Sequence, residues 1–70
     1  MEILAKRLLE LRSERDLSRR VVAASTGMTE RTYQRYESAE RDPSAPVLLA
    51  LADYYDVTTD YLLGRTDERR

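Results

Sequence analysis

The sequence predicts an all-α fold built from five short helices. Apolar residues recur at a helical spacing near the N-terminus, and no segment alternates apolar and polar residues as a half-buried strand would. Serines and threonines that favour helix starts, and glycines that favour helix ends, follow one another at short intervals. A chain of 70 residues fits one small domain, so we expect a single unit over 1–70 with its core at about 3–64. The remaining polar tail, 65–70, is expected to fray.

The first three helices are indicated by one apolar face and two capping residues. A set of aliphatic residues at helical spacing predicts a first helix over about 2–15: Ile3, Leu4, Leu8 and Leu11. Ser18 is expected to be the N-cap of a short second helix, which ends at Gly27. Thr29 is expected to cap a third helix that runs to about Ser38.

Two further helices are predicted after a loop that contains Pro43. The fourth helix begins behind Ser44, tolerates a proline in its first turn and breaks at 56–58. A fifth, short helix begins with a threonine cap, runs to Leu63 and stops at Gly64. Each helix after the first therefore has a start or stop signal of its own.

The composition excludes several classes of function. The chain contains no cysteine and no histidine, which excludes disulfides, common zinc sites and histidine-assisted nucleophiles. Asp53, Asp56 and Asp60 have a spacing that fits no calcium-binding loop. The longest apolar run, 47–52, is far too short to span a membrane, and the lack of cysteine fits a reducing cytoplasm. We therefore expect a cytoplasmic protein that is not an enzyme and needs no cofactor, metal or membrane.

Charge is distributed unevenly along the chain, although the net charge is only −1. Between Arg12 and Arg35, six arginines face three acidic residues, which gives this window a charge of +3. From Asp42 onward, three arginines face six acidic residues, which gives −3. A local positive region can attract an anionic partner even when the whole molecule is slightly acidic.

The third predicted helix has two different faces. At 100° per residue, Arg31 and Arg35 fall about 40° apart, whereas Tyr33 and Tyr36 lie roughly opposite them. We therefore expect the tyrosines to pack inward and the arginines to point outward. This pattern suits a surface that meets an anion, but it equally suits an ordinary solvated helix.

Only Gly27 and Met28 join the second and third helices, which is typical of a helix-turn-helix. The surrounding run, LSRRVVAASTGMTERTYQRYESAERDPS, and the later run LLALADYYDVTTDYLLGRTDE resemble helix-turn-helix regulators of the Cro and phage-repressor type, also called the xenobiotic-response-element family. The resemblance covers about 4–68. It implies a compact five-helix, repressor-like DNA-binding domain.

The resemblance also assigns roles to individual residues. It implies that the third helix enters the major groove of double-stranded DNA and contacts bases through Glu30, Arg31, Gln34 and Arg35. It further implies phosphate contacts from Ser18, Arg19, Arg20, Thr29, Ser38 and Arg41. Finally, it implies a structural ion pair, Arg12 with Glu37, between the first and third helices.

The chain departs from the family pattern at a few positions. Arg19 stands where the family usually has glutamine, and Val21 stands where a capping-box glutamate is common. Tyr33 replaces a β-branched aliphatic residue, and Ala39 replaces a usual glycine.

The leading hypothesis is a sequence-specific DNA-binding protein, a transcriptional repressor of a bacterium or its phage that acts as a dimer on a palindromic operator. A homodimer surface is predicted from an apparent surplus of apolar residues near the C-terminus: Val47, Leu49, Tyr54, Tyr55, Tyr61 and Leu63. Alternatively, these residues complete the core. A second hypothesis is a protein-interaction module, such as an antitoxin or an adaptor that binds an antirepressor. Its support is the acidic C-terminal part and tyrosines that look exposed, and it adds a protein regulator as a possible partner.

Overall fold

A computed structural model, which describes all of residues 1–70, contains five α-helices and no strand. The helices are α1 (Glu2–Glu14), α2 (Arg19–Ser25), α3 (Glu30–Glu37), α4 (Ala45–Tyr55) and α5 (Thr59–Leu62). The predicted all-α fold with five helices is therefore confirmed. No helix in the structure has both the length and the apolar character needed to cross a membrane.

Three of the helices begin with a side-chain cap. The hydroxyl oxygens of Ser18, Thr29 and Thr58 each accept a hydrogen bond from the backbone N–H three residues later, at 3.1, 3.1 and 3.0 Å. Each such cap satisfies a donor that has no partner within the helix and contributes roughly 1 kcal/mol. Ser44 precedes α4 without a side-chain cap, and Pro46 occupies the first turn of that helix instead.

Five residues have a positive φ and mark the places where the chain reverses. Gly27 and Gly64 adopt φ of 75° and 81°. At Gly64 an added Cβ would also lie 2.9 Å from Cγ1 of Ile3, so the Ile3 side chain would have to shift. Asp16 and Asp56 tolerate this conformation better than most residues, but Ala39, at φ 62°, does not. Ala39 is therefore the one alanine held in a strained backbone conformation.

Helix α3 packs against α1 and α2, and α5 packs against α1 and α4. All five helices contribute side chains to one core. Aliphatic side chains of α1, α4 and α5 fill its centre, together with four tyrosines: Tyr33, Tyr36, Tyr55 and Tyr61. The hydroxyl groups of Tyr33 and Tyr55 share a hydrogen bond of 2.6 Å inside it. Each hydroxyl thereby obtains the partner that a buried polar group requires.

The burial of the tyrosines corrects two predictions. Four of the five tyrosines are buried, so the expectation of exposed tyrosines at the C-terminal part is wrong. Tyr55 and Tyr61 are also removed from the predicted dimer surface, because their side chains belong to the core of the chain itself. The physical reason is composition: with no phenylalanine and no tryptophan, tyrosine must supply the aromatic volume of this core.

The polar tail, 65–70, makes contacts with the rest of the chain in the structure. The guanidinium of Arg7 lies 4.1 Å from the ring centroid of Tyr61, donates to its carbonyl oxygen and donates to the carbonyl oxygen of Thr66 at 2.6 Å. Arg69 forms two hydrogen bonds with the carboxylate of Glu14, at 2.6 and 2.7 Å. The tail therefore lies along α1, because its own charges find opposite charges and carbonyl groups there.

Replacing Ala39 with glycine is expected to leave the free energy of unfolding unchanged or to raise it by up to about 1 kcal/mol. Glycine adopts a positive φ without steric cost, and its larger entropy in the unfolded chain offsets part of that gain. A matched variant, Ala24→Gly on the exposed side of α2, should instead lower the free energy of unfolding by about 1 kcal/mol. Urea denaturation followed by circular dichroism measures both. An equal loss in the two variants would contradict the strain assigned to Ala39.

Candidate nucleic-acid interface

Helix α3 has one buried face and one exposed face. Tyr33 and Tyr36 are buried in the core, whereas Glu30, Arg31 and Gln34 are exposed. Arg35, one turn after Arg31, is half-buried. The structure therefore has the tyrosines inward and the polar side chains outward, as the helical spacing predicts. All four predicted base-contacting residues are on this short helix, and its exposed face is polar.

The turn between α2 and α3 fixes the angle at which α3 is presented. Gly27 occupies the left-handed region, and the N–H of Met28 donates to the carbonyl oxygen of Ala23 at 3.0 Å. The hydroxyl of Thr26 donates to the carbonyl oxygen of Val22 at 2.7 Å, which closes the last turn of α2. An added Cβ at Gly27 would meet nothing within 4 Å, so glycine is favoured there by its backbone angle alone.

The predicted phosphate-contacting residues are all exposed, but they differ in how they are held. The hydroxyl of Thr29 donates to the hydroxyl of Thr32 at 2.9 Å, and that of Ser38 donates to a carboxylate oxygen of Glu40 at 2.6 Å. Arg20 and Arg41 are exposed and form no ion pair. Their guanidinium groups are therefore available to an anion without breaking a contact within the protein.

Glu37, the last residue of α3, is bound by two arginines. Its carboxylate accepts hydrogen bonds from Nε and Nη2 of Arg12, at 2.6 and 3.0 Å. Arg19, the first residue of α2, donates from Nε to the same carboxylate at 3.3 Å. The Glu37 side chain is only 3% exposed. The structure thus brings together the expected pair, Arg12 with Glu37, and adds Arg19, for which the resemblance implies a phosphate contact.

The ionisation of these groups follows from their surroundings. Burial alone would raise the pKa of Glu37, but the hydrogen bonds and positive charge of Arg12 outweigh burial and hold that pKa below its usual value. The hydrogen bond to Glu37 raises the pKa of Arg12. Burial raises the pKa of Tyr55 to about 12 and raises the pKa of Tyr33 as well. At neutral pH, Glu37 is therefore charged and both buried tyrosines are neutral.

Comparison with known proteins identifies close counterparts of the chain. A family model described as a helix-turn-helix domain matches residues 3–65. The HTH-type transcriptional regulator AnsR of Bacillus subtilis (strain 168) is 42% identical over 64 residues, which are 91% of this chain and 55% of AnsR. The HTH-type transcriptional regulator ImmR of the same organism is 36% identical over 64 residues, 91% of this chain and 50% of ImmR.

A further relative from that organism, the uncharacterized HTH-type transcriptional regulator YobD, is 36% identical over 63 residues, 90% of this chain and 56% of YobD. The chain thus spans about half the length of the curated relatives that it matches. No solved structure matches it.

Replacing Glu37 with glutamine is expected to lower the free energy of unfolding at pH 7 by about 2 kcal/mol, because two guanidinium groups then lose their buried counter-charge. The difference from the wild type should shrink at acid pH. The folded pKa of Glu37 lies below the unfolded value of about 4.3, so its contribution is present above that pH and is lost as the pH falls through the folded pKa. Urea denaturation at pH 7 and near pH 3 measures the two differences.

A matched control for that experiment is Glu14→Gln, which removes an exposed carboxylate paired with Arg69. Because solvent screens this pair, Glu14→Gln should lower the free energy of unfolding at pH 7 by much less than Glu37→Gln does. A Glu37→Gln deficit of the same size at both pH values would contradict a charged, paired Glu37.

Proposed function

The chain belongs to the helix-turn-helix family of DNA-binding domains, and from this membership we propose that it binds double-stranded DNA sequence-specifically and represses transcription as a dimer on a palindromic operator. The observation that carries the proposal is the exposed face of α3, which presents four polar side chains while buried tyrosines hold the opposite face. Several relatives are named transcriptional regulators, which supports a role in transcription. Repression would be steric, since a bound dimer covers the operator and blocks polymerase.

The exposed face of α3 has the chemistry that base recognition requires. An α-helix with its side chains is about 10–12 Å in diameter, and the major groove is about 12 Å wide, so a helix such as α3 fits within it. Arg31 and Arg35 can each donate two hydrogen bonds to O6 and N7 of a guanine, and Gln34 can pair with adenine. Glu30 can accept from N4 of a cytosine. These side chains favour a half-site that contains G·C pairs.

The flanking residues supply contacts to the DNA backbone. Arg20 and Arg41 are exposed and have no acidic partner, and Ser18 and Thr29 cap the helices that begin beside them. Contacts of this kind fix the position of the protein on the duplex without reading its sequence. They also make binding weaken as salt rises, because each neutralised phosphate releases counterions.

The dimer in this proposal uses the apolar groups that remain at the C-terminal surface. With Tyr55 and Tyr61 assigned to the core, the predicted surface retains Leu49, which is 55% exposed, and three half-buried side chains: Val47, Tyr54 and Leu63. Helix-turn-helix proteins commonly bind as two-fold dimers whose recognition helices lie about 34 Å apart. A contact through α4 and the residues after it is our hypothesis for that dimer.

The alternative of a protein-interaction module loses much of its support. Two of the three C-terminal tyrosines that would have served such a surface, Tyr55 and Tyr61, are buried. Several C-terminal carboxylates are paired within the chain, since Asp67 accepts from Arg7 at 2.8 Å and Asp56 pairs with Arg70. No remaining observation favours this function over DNA binding, so it is kept only as an outcome of the experiments below.

Selection from random duplex DNA near 0.15 M salt is expected to enrich an inverted repeat with the wild-type chain. Arg35→Ala should relax one base position in each half-site and weaken binding by about 1–3 kcal/mol, because a bidentate contact to guanine is lost. Arg65→Ala is the matched control: this arginine is exposed after α5, near Asp60, and its loss should change no base preference. If neither wild type nor variant enriches a motif, sequence-specific DNA binding is wrong and a protein partner becomes the better explanation.

Replacing Leu49 with aspartate is expected to weaken self-association by about tenfold or more, because a leucine buried at an interface contributes roughly 1.5–3 kcal/mol. Sedimentation equilibrium at micromolar concentration, with and without operator DNA, measures the effect. Leu9→Asp is the control, since Leu9 is a similarly exposed leucine on α1, at 43%. A wild-type chain that stays monomeric in both conditions would rule out the dimer.

A further inference from the structure

The guanidinium of Arg19 contacts the protein through one nitrogen and faces solvent with the other two. Its Nε lies 3.3 Å from Oε1 of Glu37, whereas its two terminal nitrogens donate to no group of the chain. The Arg19 side chain is 44% exposed, although the carboxylate it touches is almost completely buried. One edge of this side chain is therefore held, and the other is free to meet a partner.

The carboxylate that holds Arg19 is itself fixed. Arg12 binds both oxygens of Glu37 and also donates from Nη1 to the carbonyl oxygen of Leu17 at 2.9 Å. Glu37 therefore cannot follow a movement of Arg19 without breaking its hydrogen bonds with Arg12, which join α1 to α3. The cluster of Arg12, Arg19 and Glu37 contains two guanidinium groups and one carboxylate, so its net charge is +1. The exposed part of that charge is on Arg19. A single additional anion would complete the cluster.

We infer that Glu37 is a positioning residue, which orients the free edge of Arg19 toward a phosphate of bound DNA. The inference rests on the proposed DNA binding and names an additional role for the buried carboxylate. Arginine has several rotatable bonds whose ordering opposes binding, and the contact with Glu37 orders them before DNA arrives. The neighbouring Arg20 has no such contact and must order its side chain during binding.

A double-mutant cycle tests the inference. Dissociation constants for the selected operator are measured for wild type, Arg19→Ala, Glu37→Gln and the double variant, between roughly 0.1 and 0.3 M salt. Arg19→Ala should weaken binding about tenfold and reduce the salt slope by about one. In the Glu37→Gln background, most of the effect of Arg19→Ala should disappear. The cycle is required because Glu37→Gln also removes a negative charge, which by itself favours DNA binding.

Arg20→Ala supplies the matched control in both backgrounds. Its effect should be the same in the wild-type chain and in the Glu37→Gln variant, because no contact couples Arg20 to that carboxylate. If the effects of Arg19→Ala and Glu37→Gln simply add, Arg19 acts without Glu37 and the inference is wrong. If Arg19→Ala leaves the salt slope unchanged, Arg19 makes no phosphate contact and the inference is also wrong. A wild-type chain without salt-dependent operator binding would instead overturn the proposed function, and the inference with it.

A measurement on the wild-type chain alone covers the case in which Glu37→Gln does not fold. In ¹⁵N spectra near neutral pH, the Nε–H of Arg19 should exchange with water more slowly than that of Arg20, and should remain so after operator DNA is added. Exchange of Arg19 as fast as that of Arg20 would show that Glu37 does not hold it, and would overturn the inference.

Discussion

The buried carboxylate of Glu37 holds the N-terminal half of the structure together. It belongs to α3, accepts hydrogen bonds from Arg12 on α1, and also contacts Arg19 on α2. A carboxylate this deeply buried is tolerated only when its charge is paired and its oxygens accept hydrogen bonds. The three helices must therefore meet in one arrangement for all three side chains to be satisfied. Because apolar side chains could stabilise such a position equally well, the importance of the pair lies in the orientation that it imposes.

That orientation matters because the two sides of α3 have different surroundings, the core on one side and solvent on the other. Tyrosines on its inner side anchor it in the core, and the outer side carries arginines that need no partner within the chain. The short turn that contains Gly27 joins α2 directly to α3, and the side-chain cap at Thr29 fixes the first turn of α3. Functional side chains placed on such a rigid element lose little freedom when they bind. The scaffold and the candidate interface are thus two faces of one short helix.

Much of the fold could be predicted because its signals are local. The caps at Ser18, Thr29 and Thr58 precede their helices directly, and the inward and outward faces of α3 follow from helical spacing. The contact of Arg19 with Glu37 and the docking of Arg69 on Glu14 could not be predicted, since these residues are far apart in sequence and only the packed helices bring them together. The burial of Tyr55 and Tyr61 was missed for a different reason. Tyrosine is found at surfaces as well as in cores. Only the absence of phenylalanine and tryptophan from the sequence indicates that these tyrosines are needed in the core.

The hydrogen bond between the hydroxyls of Tyr33 and Tyr55 has a consequence for the evolution of this chain. Position 33 is usually β-branched and aliphatic in the family that the sequence resembles. A change of Tyr33 to such a residue would leave a cavity and strand the hydroxyl of Tyr55 in the core, and the stranded group alone costs about 1–3 kcal/mol. A change to phenylalanine at position 55 removes the stranded hydroxyl. Positions 33 and 55 are therefore expected to covary among close relatives, with tyrosine at both or at neither, so that α3 and α4 diverge as a coupled pair.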